Sequence, residues 1–464
     1  MSKYKNRSTY GMFIFSFLLL MGCKEEKQQQ VKEEQPPNIL LVVADDAGWN
    51  DVGYHGSEIR TPVLDSLAYN GIRLERFYVA PTCSPSRAAL LTGMPASRLG
   101  IVAPIDGKSK FGLPKNLTTL PKALKNLGYE TALFGKWHLG LTPENGPQVY
   151  GYDRSYGFLH GQIDQYSHTY KNGDPSWHRN GKFITEEGHV TDLLTMATIG
   201  YIKKRSDSTP FFITLAYSAP HFPLQEEEKW KEPYRDQIKD SSRVDFAAAM
   251  THMDHSFGEV MQTLKEEGLD NNTLVIFMSD NGGMENWYPK DQYNGKYGPY
   301  PVLGDNTPLR DYKTSNYEGG TRAPAFLYWK DHLEQKIRND YVSVVDVFPT
   351  LIELAGARTM PNTIEGESFL PLLGNKAEKL AQRPIYIRGH LQESIVLAPY
   401  KLIRTRKKSG ALYELFQIEE DSEERQNLWE PGNPVAEQLL EILEKEFAKD
   451  PKKVNGPEPF KQEL

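Results

Sequence analysis

A chain of 464 residues with a formal net charge of −7 is too long for one minimal core, and no run of basic residues stands out in it. This charge pattern excludes the electrostatic footprint of a nucleic-acid-binding protein, so any positive potential must be confined to a pocket. No long low-complexity stretch separates independent modules, and we therefore expect one large domain with a smaller one packed on it.

The N-terminus has the pattern of an export signal. Basic residues at positions 3, 5 and 7 precede an apolar run at 12–21, which is much shorter than the roughly 20 residues that cross a bilayer. The run ends at Leu20-Met21-Gly22-Cys23, which resembles the lipobox of bacterial lipoproteins, whose cysteine is lipidated after cleavage. We predict a lipoprotein signal peptide at 1–23. The alternative is a soluble secreted protein with an incidental cysteine.

Residues 24–36 are charged, rich in glutamine and without aromatic side chains, so they cannot form a core and are predicted to be a flexible tether. The pair Glu25-Glu26 resembles the export signal of surface lipoproteins in Bacteroidetes. We expect an exported lipoprotein in the periplasm or at the cell surface, anchored to the outer membrane. It contacts a membrane only through its lipid.

The cysteine content of the chain leaves one thiol without an assigned role. An exported protein is free to form disulfides, yet the chain has only two cysteines. If Cys23 carries lipid, Cys83 is the sole remaining thiol. It is then either a reactive group or a buried bystander, and the count alone leaves both open.

Alternating apolar and helical patterns predict an α/β fold around a mostly parallel sheet. The predicted strands are at 38–44, 211–216 and 273–278, and the helical patterns between them are at 62–70, 117–127 and 243–268. Gly268 suits the end of the last helix. In such sheets ligands bind beyond the carboxyl ends of the strands, where polar residues follow all three predicted strands.

The pattern changes near residue 375. Short alternating segments at 384–388, 394–397 and 400–404 precede a helical pattern at 434–449. They predict a small antiparallel sheet with a helix. The expected division is a main domain at 37–374 and a C-terminal subdomain at 375–464.

Oxygen-bearing side chains follow two of the predicted strands. Asp45 and Asp46 end the first, and Asp280 and Asn281 follow the third. Taken singly, the first pair could cap a helix and the second could form a turn. Together they predict a site for a hard divalent cation, Ca²⁺ or Mg²⁺, because adjacent carboxylates repel unless a cation compensates them.

The segment Cys83-Ser84-Pro85-Ser86-Arg87, continued by Thr92-Gly93, resembles the C-x-P-S-R-x-x-x-L-T-G signature of type I sulfatases. In that family a maturation enzyme reads Cys, Pro and Arg in the unfolded chain and oxidises the cysteine to formylglycine. The resemblance implies that Cys83 becomes formylglycine, which accounts for the lone thiol.

Further motifs of the family follow in order. They lie at 40–48, at 135–140 (Gly-Lys-Trp-His-Leu-Gly), at 164–168, at Pro220-His221, at 279–282 and at 309–322. The resemblance spans about residues 38–430. It implies an alkaline-phosphatase-like α/β/α sandwich of three layers, in which 37–374 is the catalytic domain.

The resemblance also implies roles for single residues. The metal ligands would be Asp45, Asp46, Asp280, Asn281 and a formylglycine oxygen at position 83, around one Ca²⁺ per chain. The geminal diol of the formylglycine would attack sulfur with help from Arg87, while His221 protonates the leaving alcohol. Sulfate oxygens would be bound by Lys136 and Lys313, with Ser167 and His168 as further substrate-binding residues. His138 would take the proton of the second hydroxyl.

The segments at 45–57 and 59–65 look closest to the arylsulfatase B type, the N-acetylgalactosamine 4-sulfatases. This favours chondroitin or dermatan as substrate, with algal polysaccharides such as ulvan or carrageenan kept beside them. The chain departs from the family at Asp311-Tyr312 and in an aromatic-rich loop at 284–306, and we expect both to line the substrate entrance.

Two rival functions are weighed against a sulfatase. A phosphatase or phosphonate monoester hydrolase of the same superfamily is disfavoured, because alkaline-type phosphatases use a Ser or Thr nucleophile and Cys83 lies in an intact modification motif. A non-catalytic surface lipoprotein that binds sulfated glycans should lack catalytic residues, and none is missing.

Overall fold

The computed structural model of the chain describes residues 1, 4, 36–107, 109, 111–206, 209–288, 291–374 and 379–456. Its strands are β1 (Asn38–Asp45), β2 (Ile72–Leu74), β3 (Phe77–Tyr78), β4 (Glu130–Lys136), β5 (Arg154–Phe158), β6 (Trp177–Arg179), β7 (Lys182–Phe183), β8 (Phe211–Pro220), β9 (Thr273–Ser279), β10 (Ala325–Tyr328), β11 (Lys336–Arg338), β12 (Val342–Ser343), β13 (Ile385–Arg388), β14 (Gln392–Leu397), β15 (Tyr400–Lys407) and β16 (Gly410–Gln417).

The α-helices are α1 (Pro62–Tyr69), α2 (Cys83–Thr92), α3 (Leu120–Asn126), α4 (Val190–Lys204), α5 (Glu228–Lys231), α6 (Ser241–Glu266), α7 (Glu318–Thr321), α8 (Val347–Leu354) and α9 (Pro434–Ala448). Short 3-10 turns lie at Gly53–His55, Ala96–Leu99, Pro143–Asn145, Pro147–Tyr150, Glu232–Tyr234, Asp270–Asn272, Gln292–Gly295, Val344–Asp346 and Leu370–Leu373.

The main sheet has the strand order β11-β2-β10-β9-β1-β8-β4-β5-β6-β7. From β9 to β5 each strand is parallel to its neighbour, whereas β10 and β6 pair antiparallel with the strands beside them. The three segments predicted as buried strands are β9, β1 and β8, and they lie side by side. The predicted mostly parallel α/β sheet is confirmed.

Strand β1 explains how the layers form. Ile39, Leu41 and Val43 point into one apolar core, and Leu40 and Val42 point into the other, because side chains alternate across a strand. Helices α1, α4 and α6 pack into the core that contains Leu40, and α2, α3 and α8 pack into the opposite one. The sheet is therefore covered by helices on both faces, as predicted.

Capping residues set the ends of the long helix α6. The Asp240 side chain accepts hydrogen bonds from the backbone N–H of Ser242 at 2.8 Å and of Arg243 at 3.2 Å. The helix therefore begins two residues before the predicted start. It ends at Glu266, and Gly268 follows in the left-handed conformation with φ of 69°.

The C-terminal region forms the predicted antiparallel sheet with a helix. The strand order is β13-β14-β15-β16, and Leu439 and Leu443 of α9 pack against Ile395 and Leu402 of the sheet. The last strand, β16, was not predicted. Residues 375–378 are not described, and the boundary at 374 stays a prediction; contacts group Pro36–Leu464 into one unit.

Within the described residues, no helix combines the length and the apolar character that a membrane crossing requires. The predicted signal peptide at 1–23, with Cys23, and the tether at 24–36 lie outside the described residues, apart from residues 1, 4 and 36.

Candidate active site

Polar residues from four strands meet at the carboxyl edge of the main sheet. Strand β1 ends at Asp45, with Asp46 next, and β4 ends at Lys136. Asp280 follows β9, and His221 follows β8. Parallel strands share this edge, so residues that are far apart in the sequence come together here.

Cys83 is the first residue of α2, a helix in which all ten residues are buried. Its Sγ lies 3.1 Å from Nδ1 of His138. Burial raises the pKa of the thiol, although Lys136 and Lys313 act in the opposite direction. Only 2 % of Cys83 is exposed, so an enzyme cannot reach it once the chain has folded.

Three buried cations pair with the three buried carboxylates of the site. The contacts are Lys136 Nζ to Asp45 Oδ2 at 2.6 Å, Lys313 Nζ to Asp46 Oδ1 at 2.5 Å, and Arg87 Nε to Asp280 Oδ2 at 2.9 Å. Every cation predicted to bind sulfate is therefore within reach of the carboxylates predicted to bind metal.

The neighbouring carboxylates differ in proton affinity. Burial raises the pKa of Asp45 to about 7, with Lys136 lowering it and Asp280 and Asp46 raising it further. Burial also acts to raise the pKa of Asp46, yet Lys313, His221 and Lys136 hold it well below its usual value. The cations present thus favour ionisation of Asp46 more than that of Asp45, and a further cation would favour ionisation of Asp45.

Unpaired oxygens show that the site fits a hard cation. Among the described residues, Asp45 Oδ1, Asp46 Oδ2 and Asn281 Oδ1 are buried without a hydrogen-bond partner. Such atoms are costly unless something compensates them. Ligand atoms of Asp45, Asp46 and His221 also lie within 4.8 Å of one another. The donors are mainly oxygens, which suits Ca²⁺ or Mg²⁺.

His138 is held as a neutral base. Its Nε2 lies 3.2 Å from the carbonyl oxygen of Ile105, so Nε2 carries the hydrogen and the lone pair of Nδ1 faces Cys83. Burial, followed by the charges of Lys136 and Arg87, lowers the pKa of His138 well below its usual value.

The backbone is strained at two of these positions. Asp46 has φ of 72° and His138 has φ of 57°, both in the left-handed region that side chains other than glycine rarely adopt. Gly161 packs on the His138 ring, where a Cβ atom would lie 2.4 Å from Cε1. Such strain is typical of functional sites.

His221 completes the group. Its Nδ1 donates to the carbonyl oxygen of Phe222 at 2.7 Å, and its Nε2 lies 3.6 Å from Asp46 Oδ2. Burial lowers the pKa of His221 to about 3 despite the charge of Asp46, because Lys313 and Lys136 also lower it. The ring is neutral near pH 7 and presents the lone pair of Nε2.

A cavity of about 650 Å³ opens onto these groups. Cys83, His138, His221 and Lys313 all line it. Its volume falls within the roughly 300–1,000 Å³ of small-molecule sites, and it is much larger than one sulfate group. The cavity therefore accommodates a substantial part of a substrate beside the reactive residues.

The profile of the sulfatase family matches residues 37–357, which include every residue of this cluster. The chain belongs to the sulfatase family. A second profile, described as N-sulphoglucosamine sulphohydrolase, C-terminal, matches residues 311–453 and covers the antiparallel sheet of this sulfatase. The predicted class of enzyme, a sulfuric ester hydrolase, is confirmed.

Relatives and solved structures agree with this membership. The sulfatase is 35% identical to arylsulfatase J of Mus musculus. The matched segment covers 68% of this chain but only 51% of arylsulfatase J. It is 32% identical to N-acetylgalactosamine-6-sulfatase of Rattus norvegicus, over 77% of this chain and 69% of the relative. The crystal structure of Ps i-CgsB in complex with k-i-k-neocarrahexaose is similar with a TM-score of 0.79, 31% identity, and coverage of 90% of this chain and 94% of the other. The predicted alkaline-phosphatase-like fold is confirmed.

Ser167 and His168, predicted to bind substrate, do not line the cavity of the sulfatase. The Ser167 hydroxyl contacts the hydroxyl of Thr169 at 3.0 Å. The His168 ring stacks on Trp177, with Nε2 3.0 Å from the carbonyl oxygen of Gly188. These local contacts hold both side chains, and their assignment as substrate-binding residues stays a prediction.

Sequence reasoning did not identify five other residues that line the cavity, because no sulfatase motif contains them. They are Asp106, Gln162, Tyr170, Lys171 and Gln292. Gln292 belongs to the 284–306 loop, so this loop does line the cavity as expected. Asp311 and Tyr312 are not among the residues that line this cavity, and their place at the substrate entrance stays a prediction.

Proposed function

We propose that this sulfatase hydrolyses sulfate esters of a sulfated carbohydrate, with formylglycine at position 83 and Ca²⁺ at the oxygen cluster. The observation that carries the proposal is the position of Cys83. Its side chain lies at the end of a cavity, 3.1 Å from a neutral histidine, and Lys313 lines the same cavity. Hydrolysis of a sulfate ester needs an oxygen nucleophile at this point and does not need a thiol.

Conversion of Cys83 has a clear chemical course. The Cβ–S bond breaks and the sulfur leaves as hydrogen sulfide, which carries the thiol hydrogen and one Cβ hydrogen. A carbon–oxygen double bond forms at Cβ, and the two-electron oxidant used by the maturation enzyme supplies the oxygen atom. The full burial of residue 83 supports conversion before folding. The intact Cys-x-Pro-x-Arg sequence supports recognition of the unfolded chain.

The cation would be held by Asp45, Asp46, Asp280 and Asn281, together with the modified side chain of residue 83. When bound, the formylglycine supplies the nucleophilic oxygen and the cation stabilises negative charge on the sulfate. The unpaired oxygens Asp45 Oδ1, Asp46 Oδ2 and Asn281 Oδ1 support this ligand set. Oxygen donors favour Ca²⁺ over zinc.

The basic side chains bind and orient the sulfate. Lys136 and Lys313 lie 2.6 Å and 2.5 Å from the carboxylates of Asp45 and Asp46. If those carboxylates held a cation, the two ammonium groups would be available to bind sulfate oxygens. Arg87 donates to Asp280 and, from Nη1, to the backbone oxygen of Lys136 at 3.0 Å. It therefore orients a metal ligand and the segment that bears Lys136.

The two histidines handle protons. His138 accepts a proton at Nδ1, which faces residue 83. His221 is neutral in the free protein, but a bound sulfate ester adds negative charge beside it and raises its pKa. The imidazole then takes up a proton at Nε2 and donates it to the leaving alcohol oxygen.

The class of substrate is inferred from the relatives. One is named for N-acetylgalactosamine sulfate, and Ps i-CgsB was solved with a neocarrahexaose. A sulfated carbohydrate is therefore the proposed substrate, either a glycosaminoglycan such as chondroitin or dermatan or an algal polysaccharide such as carrageenan or ulvan. The finer likeness to arylsulfatase B stays a prediction.

The test combines mass spectrometry with sulfate release. Wild-type protein produced with a maturation enzyme is expected to carry formylglycine at residue 83 and to release sulfate from a panel of sulfated oligosaccharides. Protein produced without it, and Cys83→Ala, should lose activity by about 10⁴-fold or more. Unconverted wild type is the matched control, because it differs only at one side chain. Full activity in Cys83→Ala would contradict the proposal.

We also propose that the protein is exported and lipidated at Cys23. The apolar run at 12–21 and the lipobox-like end support this. Cys23→Ser should move the protein from the membrane fraction to the soluble fraction of the cell. An unchanged distribution would contradict lipidation.

A further inference from the structure

One wall of the catalytic cavity is separate from the groups that act on the sulfate. It is formed by Gln162, Tyr170, Lys171 and Gln292. These residues come from the loop after β5 and from the 284–306 loop. None of them contacts Cys83 or the carboxylates Asp45, Asp46 and Asp280 through a hydrogen bond or an ion pair.

Lys171 is a cation without a carboxylate partner among the described residues. It is half-buried, and its ammonium lies 5.3 Å from the centre of the Tyr170 ring. Its backbone oxygen accepts a hydrogen bond from the N–H of Tyr293 at 2.8 Å, so the 284–306 loop fixes its position. A half-buried, unpaired cation in a cavity favours an anionic ligand.

Gln162 adds a free acceptor. Its Nε2 donates to Gln292 Oε1 at 2.9 Å, which joins the two loops. Its Oε1 is buried and has no hydrogen-bond partner in the described structure. In a saccharide site, a sugar hydroxyl would donate a hydrogen bond to this oxygen.

The wall is rigidly built. Tyr297 of the 284–306 loop donates to Asp164 and accepts from Gln225 Nε2 at 2.8 Å. The Tyr170 ring stacks on His160 with 4.4 Å between ring centres. Lys171 and Gln162 are thus held in place before any ligand binds, which reduces the entropy lost on binding.

We infer that Lys171 and Gln162 form a second recognition subsite, which binds a further anionic substituent and a hydroxyl on the saccharide that carries the scissile sulfate. The inference rests on the proposed function. It narrows the substrate to a saccharide with at least two negative charges, the second being a sulfate ester or a carboxylate. Asp106 also lines the cavity and disfavours an anion on its own side, so the second charge lies towards Lys171.

The test uses matched disaccharides of sulfated galactose and N-acetylgalactosamine with the same scissile sulfate. One member carries a second sulfate ester, one carries a uronate carboxylate, and one carries neither. Wild type is expected to show kcat/KM about tenfold higher for at least one doubly charged member than for the singly charged one. Which of the two it prefers identifies the second anion.

Variants assign the preference to its residue. Lys171→Gln is expected to remove the preference, and Lys171→Arg is expected to keep most of it. Lys265→Gln, an exposed lysine on α6, is the matched control and should keep the wild-type ratio. Gln162→Leu should lower kcat/KM for all three disaccharides, because each presents the same hydroxyl.

The outcomes separate the two proposals. The subsite alone is overturned if the wild type releases sulfate from the three disaccharides without preference for a doubly charged one. It is also overturned if Lys171→Gln loses activity equally on all three disaccharides. Formylglycine-bearing wild type that releases no sulfate from any sulfated saccharide overturns the proposed function and the subsite with it.

Discussion

Arg87 Nε donates a hydrogen bond of 2.9 Å to Asp280 Oδ2, although 193 residues separate them in the chain. Both side chains are buried. The arginine belongs to the segment that the proposed maturation enzyme would read, and the aspartate belongs to the proposed metal site. In the folded protein Arg87 therefore orients a ligand and compensates its charge.

Asp280→Asn is expected to weaken Ca²⁺ binding and to leave Arg87 without its counter-charge. The free energy of unfolding should fall by about 3 kcal/mol, since breaking a buried ion pair leaves an uncompensated charge. Added Ca²⁺ should raise the Tm of the wild type and have a much smaller effect on the variant. Denaturant unfolding and thermal melts, each with Ca²⁺ or a chelator, measure both effects. Glu259→Gln, an exposed position on α6, is the control, and an equal response to Ca²⁺ in Asp280→Asn would exclude Asp280 as a ligand.

Sulfate esters are expected to be hydrolysed with kcat/KM at least about 10²-fold above matched phosphate esters. The three cations and three carboxylates of the site balance, so a bound divalent cation leaves only a modest positive charge. An ionised hydroxyl of the formylglycine hydrate would lower this net charge from about +2 to about +1. The single charge of a sulfate ester balances that value, whereas the nearly double charge of a phosphate monoester exceeds it. Equal rates on the two esters would favour a phosphatase or phosphonate monoester hydrolase.

Acid is expected to destabilise the fold through His178. Burial lowers the pKa of this histidine from 6.5 to about 4. The unfolded chain therefore binds a proton below about pH 6.5 that the folded chain does not take up until about pH 4. The contribution of the neutral His178 ring to the free energy of unfolding is fully present above about pH 6.5. It is lost as the pH falls towards 4, and the loss is up to about 3 kcal/mol.

The measurement compares unfolding of the wild type and His178→Asn between pH 7.5 and pH 4. Asparagine keeps an acceptor for the N–H of Gly181, which His178 Nδ1 accepts at 3.3 Å, but it does not titrate. The stability of the variant should fall less steeply below about pH 6.5. Parallel curves for the two proteins would rule out a contribution from His178.

Lys401→Met is expected to destabilise the protein by about 3–5 kcal/mol. The ammonium of Lys401 lies 2.8 Å from Glu318 Oε1 and 3.2 Å from Glu424 Oε1, and all three residues are fully buried. Burial raises the pKa of Glu424 to about 7 even with Lys401 beside it. Removing the lysine leaves Glu424 without an ion-pair partner among the described residues, and it leaves Glu318 with Arg322 at 3.5 Å.

Denaturant unfolding measures the loss, with Lys407→Met at the exposed end of β15 as the control. Adding Glu424→Gln to Lys401→Met should recover part of the stability, because the carboxylate that lost its cation is then neutral. No recovery would show that packing rather than charge dominates at this position.

Local patterns predicted much of the architecture. The apolar runs of β1, β8 and β9 were recognised because strands buried on both faces have a nearly continuous apolar sequence. Boundaries were less certain. Helix α3 begins at Leu120 and not at 117, with Pro121 in its first turn, where proline fits best. The short strands β2 and β10 were not predicted, since three or four residues carry little periodicity.

The sequence by itself determined the family and the reactive residues, because the motif around Cys83 and the oxygen-bearing strand ends are contiguous and carry their chemistry in residue type. Only the tertiary structure decided which cation faces which carboxylate, and which local contacts hold Ser167 and His168 outside the cavity lining. It also decided that Lys171 lines the cavity without a carboxylate partner among the described residues. These relations depend on how loops far apart in the chain pack against each other. Long-range packing sets such distances, and a local pattern of residues does not contain them.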